Sequence, residues 1–288
     1  MTTTRETWQS ARYDFAHQLL GAEPTYVGEW QSQKSVAGAN TTYEILNASF
    51  SMQMPETKGE AARVVGPNLP WAEDHFQERV SGEPLNPPPS NAWWPFAVAG
   101  NDMHKAEEIF SHTYPERYWP KFANVGGETD KGRQIFVPHV GVRFEYGALG
   151  DVVDLLARSP YTRQAYLPVW FPEDTGSASG QRVPCTLGYQ FLIRETPAGK
   201  VLHIFYHMRS CDFIRHLPDD IYMTVRLAQW MRDEVVNASG GAYHIDMGKL
   251  FFQAGSLHIF EPDRVMLAQI HREMTTSYSQ QIAKALSS

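Results

Sequence analysis

The chain has 288 residues, 42% hydrophobic and 20% charged, with 25 Lys+Arg against 32 Asp+Glu for a formal charge of −7. That content suits one large domain with a substantial core and excludes a disordered chain, and the acidic balance excludes a broad basic face for a nucleic-acid polymer. No run of about 18 apolar residues suggests a membrane span, residues 1–15 lack the apolar core of a signal peptide, and two cysteines make no disulfide scaffold, so a soluble cytoplasmic protein is expected.

Residues 5–20 carry Trp8, Tyr13, Phe15 and Leu19 near helical spacing and predict a short amphipathic helix. Residues 42–52 alternate as a strand, and residues 71–80, opening after a proline, predict a helix. The stretch 82–95 cannot be regular, because Pro84 and Pro87-Pro88-Pro89 break it, although Trp93 and Trp94 suggest that it lies against something. Residues 148–158 predict an amphipathic helix, 164–171 a strand and 173–181 a polar loop. Two strand-like runs, 185–194 and 200–210, joined by ETPAG, predict a hairpin. A long helix over 218–238 is stopped by Gly240-Gly241, followed by a strand over 249–260 and a helix over 261–274. Strands and helices mix without βαβ regularity, so the expectation is one α/β (α+β) domain over residues 1–288 rather than a Rossmann fold.

Cys185 follows Pro184 at the start of an apolar strand. A lone cysteine there reads as a small buried hydrophobe or, with positive charge beside it, as a nucleophile. Arg182 lies just upstream and Arg209-Ser210 ends the next strand, so a hairpin could gather all three near the thiol. Cys211 reads as a structural thiol. Arg209 with Ser210, and Arg163 at another strand start, suit a phosphate, or else surface salt bridges. His203 and His207 are four apart, a zinc spacing on a helix; on a strand with no third ligand an ordinary pair is favoured over a zinc hydrolase. His258, after Gly-Ser, reads as a strand-end residue, structural or sugar-binding.

In order and spacing these pieces resemble the thymidylate synthase superfamily, from about Tyr146 to Phe260 with weaker likeness upstream to about Glu44. The core of the match is PCTLGYQFLIR, MRSCDFIRHLPDD and GSLHIF. The family's Pro-Cys is followed five residues on by a Gln, as Cys185 is by Gln190, and its Arg-Ser-x-Asp is matched by Arg209, Ser210 and Asp212. Where the family has a base-reading Asn, this chain has Asp220; its sugar-side His-x-Tyr is met by His258 and Phe260, and its Tyr-Gly by Tyr146-Gly147. SPYTRQ is similar to the family's Asp-Ser-Arg-Arg, with Gln164 in place of the second arginine.

The resemblance implies a mixed twisted sheet packed with helices and a homodimer through that sheet, Arg163 reaching the phosphate across the interface. It implies 5,10-methylenetetrahydrofolate as cofactor, faced by Trp119 and Asp212, with no metal. Cys185 would be the nucleophile, Tyr146 would assist loss of the C5 proton, and Glu78 (Glu73 as second choice) would hold the attacking water. Arg209, Ser210, Gln190 and His258 would bind the nucleotide. Asp220, with Thr186 after the nucleophile, looks like the cytidylate 5-hydroxymethylases, which act on dCMP in phage and on CMP in nucleoside-antibiotic pathways. Cytosine offers an N4 amino donor that a carboxylate accepts, whereas the same carboxylate facing uracil O4 sets acceptor against acceptor. The final residues, IHREMTTSYSQQIAKALSS, lack the family's water-excluding tail pattern, which agrees with water addition. The expected activity is therefore hydroxymethyl transfer to C5 of CMP or dCMP; the alternatives are a dUMP/UMP C5 methyltransferase and a non-catalytic nucleotide-binding protein.

Overall fold

The computed structural model describes residues 7–27, 40–96, 105–106, 109–123, 147–175 and 183–286. Helix α1 (Trp8–Gly21) is capped by Thr7, whose hydroxyl accepts the Ser10 N–H, and it buries Trp8, Ala11, Phe15, Ala16 and Leu19. Tyr13, expected on that stripe, instead stacks on His271 with ring centroids 5.0 Å apart. Strands β1 (Pro24–Tyr26) and β2 (Thr41–Gln53) pair antiparallel. Helix α2 (Lys58–Val65) was not foreseen; a Thr57/Glu60 capping box starts it and Gly66, at φ 68°, ends it. Helix α3 (Trp71–Arg79) follows, then a 3-10 turn at Pro89–Trp93 inside the proline-rich stretch.

Next come the short strands β3 (Lys105–Ala106) and β4 (Ile109–Phe110) and the helices α4 (Tyr114–Tyr118) and α5 (Leu149–Arg158). Strand β5 (Tyr166–Pro168) is shorter than predicted, and the turn of helix α6 (Pro172–Thr175) comes after it. The predicted hairpin is β6 (Thr186–Thr196) with β7 (Gly199–Asp212). Helix α7 (Leu217–Ala238), strand β8 (Ile245–Phe260) and helix α8 (Arg264–Leu286) complete the chain.

The main sheet has six strands in the order β1-β2-β8-β7-β6-β5. Every neighbouring pair is antiparallel except β7 and β8, which run parallel because α7 carries the chain from the end of one to the start of the other. Alternation then separates the two faces. Tyr189, Phe191 and Ile193 of β6, Ile204 and Tyr206 of β7 and Leu250 and Phe252 of β8 are buried. Each such side chain contributes about 1.5–3 kcal/mol on burial. On the alternate positions, Gln190, Leu192, Phe205, His207 and Phe251 are only half-buried. The mixed α/β sheet agrees with the expected fold class.

His203 and His207 lie on β7, where residues four apart are separated by about 13 Å and cannot share one metal ion. His203 Nδ1 accepts the Lys249 N–H at 2.9 Å. That pair is structural.

Candidate active site

The hairpin register gathers the cysteine and its neighbours. Thr186 pairs with Met208, and the Arg209 N–H donates to the Cys185 carbonyl at 2.8 Å. From this frame Arg209 Nη2 and Ser210 Oγ each stand 3.6 Å from Cys185 Sγ. The guanidinium is fixed by the carbonyls of Pro184 (Nε, 2.9 Å) and Val183 (Nη2, 3.1 Å) and by Ser210 Oγ at 3.2 Å. Two donors aimed at the sulfur, one cationic, are the surroundings a nucleophilic thiol needs. Gly255 on β8 keeps this geometry: a Cβ there would lie 2.8 Å from the Arg209 carbonyl oxygen. Thr186 points into the core, its hydroxyl 3.0 Å from that of Tyr114 and 3.1 Å from that of Tyr206.

Asp212 ends β7 and turns the chain. Its Oδ1 accepts the N–H groups of Ile214 and Arg215, both at 2.9 Å, and α7 begins at Leu217. The first turn of α7 therefore presents Asp219 and Asp220 beside the hairpin. Asp219 is held by the backbone and side-chain N–H groups of Asn68 at 2.7 and 2.9 Å. Asp220 is 8% exposed, and the Cys211 thiol donates to its Oδ2 at 3.8 Å. Burial pushes the Asp220 carboxyl up to about 7, reinforced by Asp219 and Asp212 and opposed by Arg79.

One cavity of about 280 Å³ is lined by Cys185, Arg209, Ser210, Asp212 and Asp220 together. Its opposite wall comes from α3, where Trp71, His75 and Arg79, four residues apart, face the same way. Sequence reasoning missed this stripe, although its spacing was there to read. The Arg79 guanidinium lies 4.0 Å from the centroid of the Tyr114 ring, which also lines the cavity. Trp94 stacks on His216 at 5.1 Å and lies 6.3 Å from Trp71, so the proline-rich loop does rest against the site.

Other expected site residues stand elsewhere. Glu78 is not in the cavity wall: its carboxylate accepts the Ser90 N–H at 2.6 Å and the Ser90 hydroxyl, behind His75. Glu73, on the far side of α3, accepts from Tyr222 Oη (2.7 Å), Arg226 Nε (3.0 Å) and Gln77 Nε2 (2.8 Å), so its place is in a structural ion pair. Trp119 does not reach the cavity either. Its indole donates to the Arg79 carbonyl at 2.9 Å, which draws the ring into the core against Trp230. His258 is next to Asp212 in the β7–β8 register and its carbonyl accepts the Phe213 N–H, one position outside the lining. Gln190 Nε2 donates to the Arg163 carbonyl at 3.0 Å, and the Arg163 side chain is exposed; neither lines this cavity. Tyr146 and Arg182 lie outside the described residues.

The residues present fit a planar folate ring. Trp71, Trp94 and His216 line the cavity, each with one face taken by a stack (Trp71 on His75, Trp94 on His216), and Trp94 Nε1 is buried with no hydrogen-bond partner among the described residues. Among the described residues no group of three or more His, Cys, Asp or Glu side chains is placed to hold a metal, and no helix is long and apolar enough to cross a membrane.

No curated protein matches the chain. A family model, Thymidylate synthase, matches residues 105–286, which contain the hairpin, Asp220 and β8. The chain belongs to the thymidylate synthase family, whose chemistry is folate-dependent one-carbon transfer to C5 of a pyrimidine nucleotide.

Proposed function

We propose that this chain is a cytidylate 5-hydroxymethyltransferase, acting on CMP or dCMP. The observation that carries this reading is a buried carboxyl, Asp220, in the same cavity wall as Cys185 and with its pKa raised to about 7. A carboxyl that holds a proton near neutral pH supplies one donor for cytosine N3 and one acceptor for the N4 amino group. As the Cys185 thiolate adds to C6, the proton moves to N3, giving a neutral adduct whose N3–H and N4 amino group both donate to the carboxylate. A neutral carboxyl also fits uracil, donating to O4 and accepting from N3–H, so the discrimination rests on cytosine N3, a more basic site than uracil O4, taking the proton as the adduct forms. Once Asp220 ionises, one acceptor–acceptor contact is left with uracil.

Methylenetetrahydrofolate, when bound, supplies the one-carbon unit, and the aromatic wall of Trp71, Trp94 and His216 would hold its ring, with Asp212 nearby. Cys185 activates C5 by forming the C6–S bond and leaves after water has added to the C5 substituent. Tyr146 assists loss of the C5 proton. Arg209 and Ser210 hold the nucleotide phosphate with Arg163 of the partner subunit, His258 contacts the sugar and Gln190 supports the base side. What supports a homodimer is that Arg163 is exposed and outside its own cavity, while Leu192, Phe205 and Phe251 leave a half-buried apolar patch on the sheet.

Asp220→Asn tests the base assignment. An amide pairs with uracil through its carbonyl and NH₂ but cannot give N3 a proton, so cytosine:uracil preference should fall by about tenfold or more. Steady-state kcat/KM with CMP, dCMP, UMP and dUMP measures this. A preference unchanged within about twofold removes Asp220 from base reading.

A further inference from the structure

We propose that His75 is the group that accepts the proton of the attacking water, and that Glu78 and Ser90 are positioning residues acting through it. This rests on the hydroxymethyl-transfer reading above. His75 lines the cavity, whereas Glu78 and Ser90 do not. The imidazole is stacked on Trp71 at 5.1 Å with an interplanar angle of 16°, which fixes the plane of the ring. Its Nδ1 stands 2.9 Å from Ser90 Oγ and 3.3 Å from Glu78 Oε2. The Nδ1 edge is thus turned away from the cavity, and the Nε2 edge is the part left to line it.

The neighbours also decide the tautomer. The Ser90 hydroxyl donates its one hydrogen to Glu78, and the Ser90 N–H donates to the other carboxylate oxygen at 2.6 Å. Burial alone would raise the Glu78 pKa, but hydrogen bonds from His75 and Ser90 hold the carboxyl below the usual range, so it is ionised near neutral pH. Neither atom facing Nδ1 has a proton to give. Nδ1 must therefore carry the hydrogen, and Nε2 presents its lone pair to the cavity. Burial, with Arg79 and His216 adding to it against Glu78, holds the imidazole pKa down to about 4, which keeps Nε2 unprotonated at neutral pH.

The step balances without an oxidant or reductant. The water oxygen adds to the exocyclic CH₂ on C5 of the nucleotide, and the C5=CH₂ electron pair moves into the ring. The water proton passes to His75 Nε2, giving an imidazolium whose Nδ1–H faces the Glu78 carboxylate. The pair then returns to form C5=C6 as the C6–S bond breaks. The imidazolium gives its proton to the departing Cys185 thiolate.

His75→Asn keeps a donor near the Nδ1 position and removes the acceptor; His75→Gln places an amide near the Nε2 position. The wild type and these variants, together with Glu78→Gln and the Glu78→Gln/His75→Asn double variant, are assayed for nucleotide binding, tritium release from C5-labelled CMP and dCMP, and hydroxymethyl product. His75→Asn should bind nucleotide within about threefold of wild type and lose about 100-fold in product formation, with product falling further than tritium release. His75→Gln, whose amide oxygen accepts a hydrogen bond from the water but not its proton, should lose product as His75→Asn does, to within about threefold, and the double variant should be no worse than His75→Asn. Product within about tenfold of wild type in His75→Asn, or release and product falling in parallel, overturns the proposal. If His75→Asn fails to bind nucleotide, His75→Gln and Glu78→Gln decide by the same release-to-product ratio. A wild type that releases tritium but forms no hydroxymethyl product refutes the parent reading instead.

Discussion

Replacing Asp220 by Asn should change how stability depends on pH, independently of catalysis. In the fold, burial raises this carboxyl from the ordinary 3.8 to about 7. Below pH 4 it is protonated in both folded and unfolded chains and contributes no difference. Between the two values the unfolded chain has released its proton and the folded chain has not, so stability falls as pH rises, by about 1.4 kcal/mol per pH unit. By about pH 8 both states are ionised and the slope vanishes. Asn does not titrate, so Asp220→Asn should gain on wild type by about 2 kcal/mol between pH 5 and pH 7, with only a small further gain by pH 8. Urea unfolding of both proteins at pH 5, 6, 7 and 8, at one protein concentration, gives the difference directly. Curves that run parallel across that range would mean that Asp220 is not held protonated, and the base-reading argument would lose its proton.

The other expectations can be checked with the same protein. Cys185→Ser should lose detectable turnover while nucleotide affinity stays within about threefold, because a hydroxyl is a far poorer nucleophile at neutral pH; appreciable turnover would remove the thiol from the mechanism. Arg163→Ala should weaken nucleotide binding by about 1.5–3 kcal/mol, the range of a charge-assisted phosphate contact, and light scattering should give a dimer mass; a fully active monomer would contradict the shared site. Glu73 has a pKa of about 2, held there against burial by Arg226, Tyr222 and Gln77, so its contribution is present above the ordinary 4.5 and is lost as pH falls toward 2. Glu73→Gln should therefore cost about 1.5–3 kcal/mol at pH 7 and less at pH 3, with kcat near wild type; a large loss of kcat with unchanged stability would return Glu73 to the catalytic set.

The elements legible in the sequence were those with a complete local signature. Alternation over residues 185–210 gave the hairpin, and with it the meeting of Cys185, Arg209 and Ser210. The long apolar period ending at Gly240-Gly241 gave α7 and placed Asp220 at its start. Helix α2 escaped because eight residues bury only Ala61 and Val65, too few to show a period. The parallel pairing of β7 with β8 escaped because it depends on where α7 delivers the chain, which no local pattern records. On α3 the spacing of Trp71, His75 and Arg79 marked the cavity face, but the resemblance to a family segment that carries a catalytic Glu pointed to Glu78 and Glu73. The partner that settles Glu78 is Ser90, across a cis-proline loop whose path the prolines did not reveal. Trp119 was misplaced because its hydrogen bond to the Arg79 carbonyl joins two short helices distant in sequence.

The most direct test of the account is product analysis of the purified protein with methylenetetrahydrofolate and, in turn, CMP, dCMP, UMP and dUMP. A cytosine nucleotide should gain CH₂O at C5, seen by mass spectrometry with accompanying release of the C5 proton, and the uracil nucleotides should react poorly. Methylation of dUMP or UMP with gain of CH₂, or no reaction at C5 of either cytosine nucleotide, would contradict it.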